Sequence, residues 1–448
     1  MAKQALLKQE VCQAIDDQSK KIVNIGESIM DSAELGYKEA GTADRVKEIF
    51  QEVNLPFQDG LALTGIKAVL KGAKPGPTIA LMGELDALFL PNHPRANPKT
   101  GAAHACGHNA QIAGLMGAAL GFSGTEVVNE LAGNIVFFAV PAEEYVEIEY
   151  RMGLVKTGKV SFLTGKQELI KLGYFDDVDM AIMIHSSSAE SAAGKVGVSA
   201  STNGFLAKSI TFIGKAAHSG VAPEEGINAL NAATLALSGI NAQRDTFRDE
   251  DSVRVHPIIT KGGDLVNIVP AEVKMETYVR GRTAKAILDA SKKVDRALRG
   301  AAIAIGCQVN IETVPGNMPL QNDSKLSALF EKNAETLFGP KSFKNYPHGA
   351  GSTDAGDLSQ IMPVLHPYMT GASGYNHSRE WHIADPVAGY LSPAKTLAMM
   401  AIDLLSNDAR EARRVIEEYK PAMSKQEYVE MQQAVFNTEL FDGSKGRY

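Results

Sequence analysis

Cysteine is scarce in this 448-residue chain, with Cys12, Cys106 and Cys307 the only three. They are too few, and of the wrong parity, for a disulfide framework. A basic excess is also missing. Lys and Arg number 45 against 52 Asp and Glu, for a net charge of -7 and a pI near 5.9. A nucleic-acid binder carries the opposite, electropositive footprint. No apolar run approaches the ~18–20 residues of a bilayer-spanning helix; the best is Ile135–Pro141. The 41 Gly and 19 Pro are ordinary in number and aperiodic, which excludes collagen-like and low-complexity chains. The opening residues MAKQALLKQEVCQAIDDQSKK are charged and helix-like, without a signal peptide's apolar stretch or small-residue cleavage site. What is present, 44% hydrophobic and 22% charged residues, can offset the entropy that keeps disordered chains unfolded. The expectation is an acidic, cytoplasmic protein with no membrane or nucleic-acid partner, in two or three domains of about 100–200 residues each.

Residues 10–30 and 40–53 read as helices, the second with Val46, Ile49, Phe50 and Val53 on one face. Short apolar runs follow, each ending in a polar cluster. Thr78–Met82 leads into Gly83-Glu84-Leu85-Asp86, Asn134–Val140 into Pro141-Ala142-Glu143-Glu144, and Val178–Ile184 into His185. Runs this apolar without alternation suit strands buried on both faces, as in a parallel sheet covered by helices. Ala110–Leu120 reads as a crossover helix between them. The fold class is therefore α/β, a mostly parallel sheet flanked by helices. Near residue 200 the pattern changes. Strand candidates 206–214, 253–260, 271–280 and 308–314 and helix candidates 227–241 and 284–304 give the order β-α-β-β-α-β, a ferredoxin-like α+β motif. In 271–280, Val273, Met275 and Val279 alternate with Lys274, Glu276, Tyr278 and Arg280, one face buried and one wet. Helices return at 324–337 and 392–406 and continue, charged, to the end. The expected organisation is one discontinuous domain, 1–200 with 316–448, interrupted by an inserted domain at 201–315.

The polar clusters matter because of their position. In open parallel sheets, ligands and catalytic groups gather at the carboxyl ends of the strands. Asp86, Glu143, Glu144 and His185 all follow such strands, and His104-Ala105-Cys106-Gly107-His108-Asn109 directly precedes a helix. Cysteine near a helix N-terminus favours its thiolate form. Thiolate, imidazole and carboxylate together are the donor set for zinc, manganese, nickel or cobalt. Singly, each residue has a bland reading: a solvated glutamate pair, a small buried hydrophobe, a capping Asp86, a core histidine at 185. Their joint placement at adjacent strand ends favours a site.

These segments, Gly83–Leu88, HACGHNAQIAGLMGAA from His104, Pro141–Glu144 and Ile184-His185, resemble the M20 metallopeptidase family. The likeness continues through Gly214–Ser219, Gly262–Asp264, Asn267–Pro270 and Arg280. It is greatest to the amidohydrolase branch: aminobenzoyl-glutamate hydrolases, N-acyl-amino-acid and auxin-conjugate amidohydrolases, and related dipeptidases. The resemblance implies a catalytic domain carrying two divalent metal ions (Zn, Mn, Ni or Co) bridged by Cys106. His108 and His185 would bind one ion; Glu144 and a C-terminal histidine, His377 in preference to His382, the other. It implies that Glu143 is the general base for the attacking water, whose pKa bound metal lowers toward about 7, and that Asp86 orients a ligand histidine through its other ring nitrogen. His104 would shape the loop. The inserted domain would be a lid and dimerisation domain, so the chain would form a homodimer or higher homo-oligomer.

Within that insert, His218 resembles the residue that reaches a partner subunit's site to stabilise the oxyanion of amide hydrolysis. Asn267 and Arg280 resemble groups that hold a substrate carboxylate. The glycine-rich loop 349–357 can offer backbone N–H groups to substrate; it lacks the lysine and spacing of a nucleotide-binding P-loop. Asn109, where many members have Asp, bears on substrate choice. The activity implied is hydrolysis of a small-molecule amide joining an acyl, aroyl or aminoacyl group to an amino acid with a free carboxylate. Two alternatives come from other classes: a hydrolase using Cys106 as nucleophile, and a non-catalytic binding protein that keeps the fold.

Overall fold

The computed structural model describes residues 2–188 and 196–445. They fall into two compact units, residues 1–201, 321–349 and 357–425 in the first, and 202–320, 350–356 and 426–448 in the second. No helix among the described residues is long and apolar enough to cross a membrane.

In the first unit the apolar runs become strands Lys74–Glu84, Ala132–Val140 and Met180–Met183. They are neighbours in a six-stranded sheet ordered Phe57–Leu61, Gly65–Lys71, Ala132–Val140, Lys74–Glu84, Met180–Met183, Val364–Leu365. The last four strands run parallel and the first two pair antiparallel. Fully buried side chains such as Ile79, Leu81, Phe137 and Ile182 each contribute about 1.5–3 kcal/mol by leaving water. Helix His108–Ser123 is buried from His108 to Phe122, as a helix apolar all round must be. It packs on helices Ser19–Asp31 and Ser392–Glu418. The last of these outruns the expected 392–406, with a break at Ser406–Ala409 where Asn407, Asp408 and Ala409 take positive φ. A smaller sheet, Phe343–Tyr346, Val196–Ser199, Tyr368–Ser373 and His382–Ile383 with His185–Ser188 beside Tyr368–Ser373, belongs to the same unit.

The second unit has the ferredoxin-like order. Strand Gly204–Ile213 lies between Glu272–Gly281 and Gln308–Pro315, and helices Ala229–Ala242 and Ala284–Ile305 complete the motif. Val273, Met275 and Val279 are buried as the alternation requires. The single strand expected at 253–260 is two, Arg254–Val255 and Ile258–Lys261, because Pro257 between them has no N–H for the ladder. The sequence reading assigns 316–448 to the first domain, and here the structure differs. Residues 316–320 stay with the second unit, and the chain from 426 onward returns to it. Strand Asn437–Asp442 pairs antiparallel with Gln308–Pro315, and Arg299 donates to both oxygens of Glu439 at 2.8 and 2.5 Å. This covers a sheet edge that would otherwise present unpaired backbone groups.

Candidate metal centre

Topology brings the first unit's polar clusters together. Asp86 leaves strand Lys74–Glu84, Glu143 and Glu144 leave Ala132–Val140, and His185 leaves Met180–Met183, all at the carboxyl ends of adjacent parallel strands. Cys106 comes in from the loop before helix His108–Ser123. That loop turns at Gly107 (φ +96°), where a Cβ would stand 2.8 Å from the Ser186 side chain and 2.9 Å from Trp381; only glycine fits. His377, itself at φ +63°, donates its backbone N–H to Ala105 O at 2.8 Å. Its loop is thereby fixed beside Cys106.

Two trios of side chains then share one sulfur. Donor atoms of Cys106, His108 and His185 lie within 4.8 Å of one another, as do those of Cys106, Glu144 and His377. The His185 Nε2 is 3.3 Å from Cys106 Sγ, and His377 Nε2 is 3.5 Å from Glu144 Oε1. Glu144 Oε1 is buried without a hydrogen bond, and His108 Nε2 faces only carboxylates, Glu84 Oε2 at 3.0 Å and Glu143 Oε2 at 3.9 Å. Buried polar atoms rarely stay unpaired, so these donors fit one or more divalent cations. Electrostatics agree. Burial pushes the Cys106 thiol up and the Glu144 carboxylate adds to that, but the His185 and His108 rings bring it down to about 6. Burial likewise opposes the Glu144 charge, which the His377 and His108 rings hold at about 2. The other ring nitrogen of His108, Nδ1, is 2.8 Å from Asp86 O and 3.4 Å from Asp86 Oδ1, and Asp86 Oδ2 accepts the Glu144 N–H at 2.9 Å. Asp86 thus holds two of the donors from behind.

A third trio, Glu84, His108 and Glu143, is also compact. There Glu84 is already matched: Lys166 Nζ reaches its Oε1 at 2.5 Å and Gln111 Nε2 its Oε2 at 2.7 Å. Burial penalises the Glu84 charge, yet Lys166 and His108 keep it below the ordinary carboxylate range. Glu143, with Oε2 3.9 Å from His108 Nε2, stands outside both Cys106 trios.

His382 joins none of these groups; its Nδ1 is 2.9 Å from Glu380 O. His104 is buried with neither ring nitrogen hydrogen-bonded, and burial lowers its pKa to about 3. The Asn109 amide donates to Gly26 O (3.1 Å) and the Tyr390 hydroxyl (3.3 Å), so it is spent on helix packing. Residues without a distinguishing sequence signal also surround the centre. Lys166 is one. His366 is another, its ring edge-on to His185 at 5.6 Å and its Nδ1 2.9 Å from Met183 O.

His218, Asn267 and Arg280 belong to the second unit. His218 and Asn267 are exposed on loops joined by Ser219 N–H to Asn267 O (3.0 Å). The His218 Nδ1 accepts the Gly220 and Val221 N–H groups at 3.1 and 3.2 Å. Arg280 donates to Ser352 Oγ at 2.8 Å, on the glycine-rich loop, and its guanidinium lies 5.4 Å from the Phe205 ring and 5.5 Å from the Tyr278 ring.

Residues 80–400 match the peptidase family M20/M25/M40. The chain is 29% identical over 435 residues to a mouse (Mus musculus) Xaa-Arg dipeptidase, covering 90% of each chain. It is 25% identical over 374 residues to an N-acetylcysteine deacetylase of Bacillus subtilis, covering 81% of this chain and 90% of that one. Among solved structures, a Bacillus subtilis dinuclear metal-binding peptidase superposes with a TM-score of 0.65 at 22% identity, covering 87% of this chain and 99% of that one.

Proposed function

This chain belongs to peptidase family M20/M25/M40 and is a metal-dependent amidohydrolase or peptidase, and on that premise we propose its reaction and its residues. It hydrolyses the amide joining an acyl, aroyl or aminoacyl group to an amino acid with a free carboxylate. The sharing of Cys106 Sγ between two donor trios, with Glu143 outside both, carries this reading. His108 and His185 would hold one divalent ion and Glu144 and His377 the other, Cys106 belonging to both donor sets. Bound ions there supply Lewis-acid charge that lowers the pKa of water and stabilises a developing oxyanion. Glu143 takes the proton of the attacking water and delivers it to the departing amine. Asp86 fixes the His108 ring through Nδ1. Two backbone N–H groups donate to His218 Nδ1, which leaves Nε2 to donate to the oxyanion. That donor comes from a partner copy in a homodimer or larger assembly, while Asn267 and Arg280 hold the substrate carboxylate. Residues 1–201, 321–349 and 357–425 carry the centre and the inserted domain serves as lid and dimer interface. The ions are zinc, manganese, nickel or cobalt, and the compartment is the cytoplasm.

Metal analysis of the purified protein, followed by a panel of N-acyl, N-aroyl and dipeptide amides, tests the reading. Chelation should abolish turnover and reloading should restore it. Activity that survives metal stripping but dies with alkylation would instead identify Cys106 as a nucleophile. His377→Ala should bind one metal equivalent fewer than the parent; full metal content in that variant would transfer the role to His382.

A further inference from the structure

Arg151, on helix Ile148–Lys156, is completely buried. A guanidinium stays charged in any protein environment, and a charge removed from water needs partners of good geometry. Its Nη1 donates to Leu163 O at 2.7 Å and to Ala142 O at 3.3 Å. Its Nη2 lies 4.0 Å from Asp86 Oδ2, and Tyr37 stacks on the guanidinium at 5.5 Å. Neither Nε nor Nη2 has a hydrogen-bond partner among the described residues. The cradle is exclusive: a Cβ on Gly36 would stand 2.2 Å from Nη2.

Two of the three polar groups Arg151 reaches, the Ala142 carbonyl and Asp86, are the ones that aim the glutamate pair. Ala142 takes a left-handed backbone conformation (φ +52°), which a non-glycine residue keeps only where its surroundings impose it. Here the Ala142 N–H donates to Glu39 Oε1 at 2.8 Å, and the Ala142 carbonyl accepts from both the Gly165 N–H at 3.2 Å and Arg151 Nη1 at 3.3 Å. Both of its peptide groups are therefore held, and the directions in which Glu143 and Glu144 leave the loop are set. Asp86, the other partner, bonds the Glu144 N–H and faces His108. Packing alone would not require a buried cation at a point where these two strand ends meet.

We propose that Arg151 is a positioning residue for hydrolysis: it clamps the Ala142 carbonyl and balances the Asp86 charge, fixing the Glu143–Glu144 loop against His108. The inference rests on the hydrolytic reading above. Three variants test it: Arg151→Gln, Arg151→Lys and Gly36→Ala, whose methyl group would displace Nη2. Cobalt(II) titration of the metal-free proteins, followed by visible absorption, reads the centre without substrate. Turnover on the best amide of the panel reads the loop. Arg151→Gln and Gly36→Ala should each weaken cobalt binding and lower kcat by about 10–100-fold, the effect typical of groups that orient metal ligands, with KM nearly constant. Arg151→Lys should recover part of both. In the Gly36→Ala/Arg151→Lys double variant the lysine lacks the branch the methyl displaces, so its defect should fall below the sum of the two singles. Parent-like cobalt affinity, absorption and kcat in folded Arg151→Gln would overturn the proposal. Should that variant not fold, the same parent-like result in Gly36→Ala would overturn it. A cobalt-loaded parent that turns over no amide would sink the hydrolytic reading alone, because the cobalt titration is read independently of it.

Discussion

Glu143→Gln should lower kcat by about 10²–10⁴-fold, the range general-base catalysis supplies, while metal content and KM stay close to parental values. The substitution is nearly isosteric, and the loop that carries it is tied elsewhere, through Ala142 N–H to Glu39 and Glu144 N–H to Asp86. An amide cannot accept the proton of the attacking water, so the loss should fall on the chemical step and leave binding alone. The two adjacent glutamates make the comparison informative. Glu144 has donor atoms in the trio with Cys106 and His377 and Glu143 does not, so Glu144→Gln should lose metal as well as turnover. Steady-state kinetics with metal analysis on both variants separates the roles. Unchanged turnover in Glu143→Gln would remove it as the base.

Much of this centre was legible in the sequence because its parts lie at the ends of apolar runs, and parallel-sheet topology gathers such ends without further information. Asp86, Glu143, Glu144 and His185 were accessible in that way, and Cys106 and His108 through the polar segment directly before helix His108–Ser123. The strict alternation at 271–280 likewise marked a strand with one buried face. The charged residues behind the centre were not legible, since their partners lie far along the chain. Lys166 sits in a stretch, Gly165–Leu172, whose lysines, glutamine and glutamate read as a solvated helix. In the fold Lys166 is fully buried on Glu84, and Glu168 Oε2 accepts the Ser161 and Phe162 N–H groups at 2.7 and 3.0 Å. Arg151, flanked by Glu149 and Tyr150, has the same surface-like context. The tail strand Asn437–Asp442 carries little apolar signal because only the partner edge, Gln308–Pro315, defines it. Such contacts belong to the tertiary structure, and local pattern holds no record of them.

Cys106→Ala should abolish the response of the protein to metal. In the parent, a divalent ion at a hundred times its Kd should stabilise the fold by about 2.7 kcal/mol per site through mass action, and a thermal melt with and without metal reads this directly. Removing the sulfur strips one donor from both trios at once. The remaining pairs, His108 with His185 and Glu144 with His377, are each short of the three protein ligands a catalytic zinc site ordinarily uses. The metal-dependent rise in melting temperature should therefore vanish together with turnover, where His377→Ala keeps part of it. Serine at 106 tests the chemistry of the sulfur: its hydroxyl stays protonated where the thiol, drawn down to about 6 by His185 and His108 against burial and Glu144, is available as an anion. A nucleophilic cysteine predicts a different pattern, in which Cys106→Ala loses turnover but melts with the parent's metal response. Observing that pattern would move the reaction from the shared metal centre to the thiolate itself.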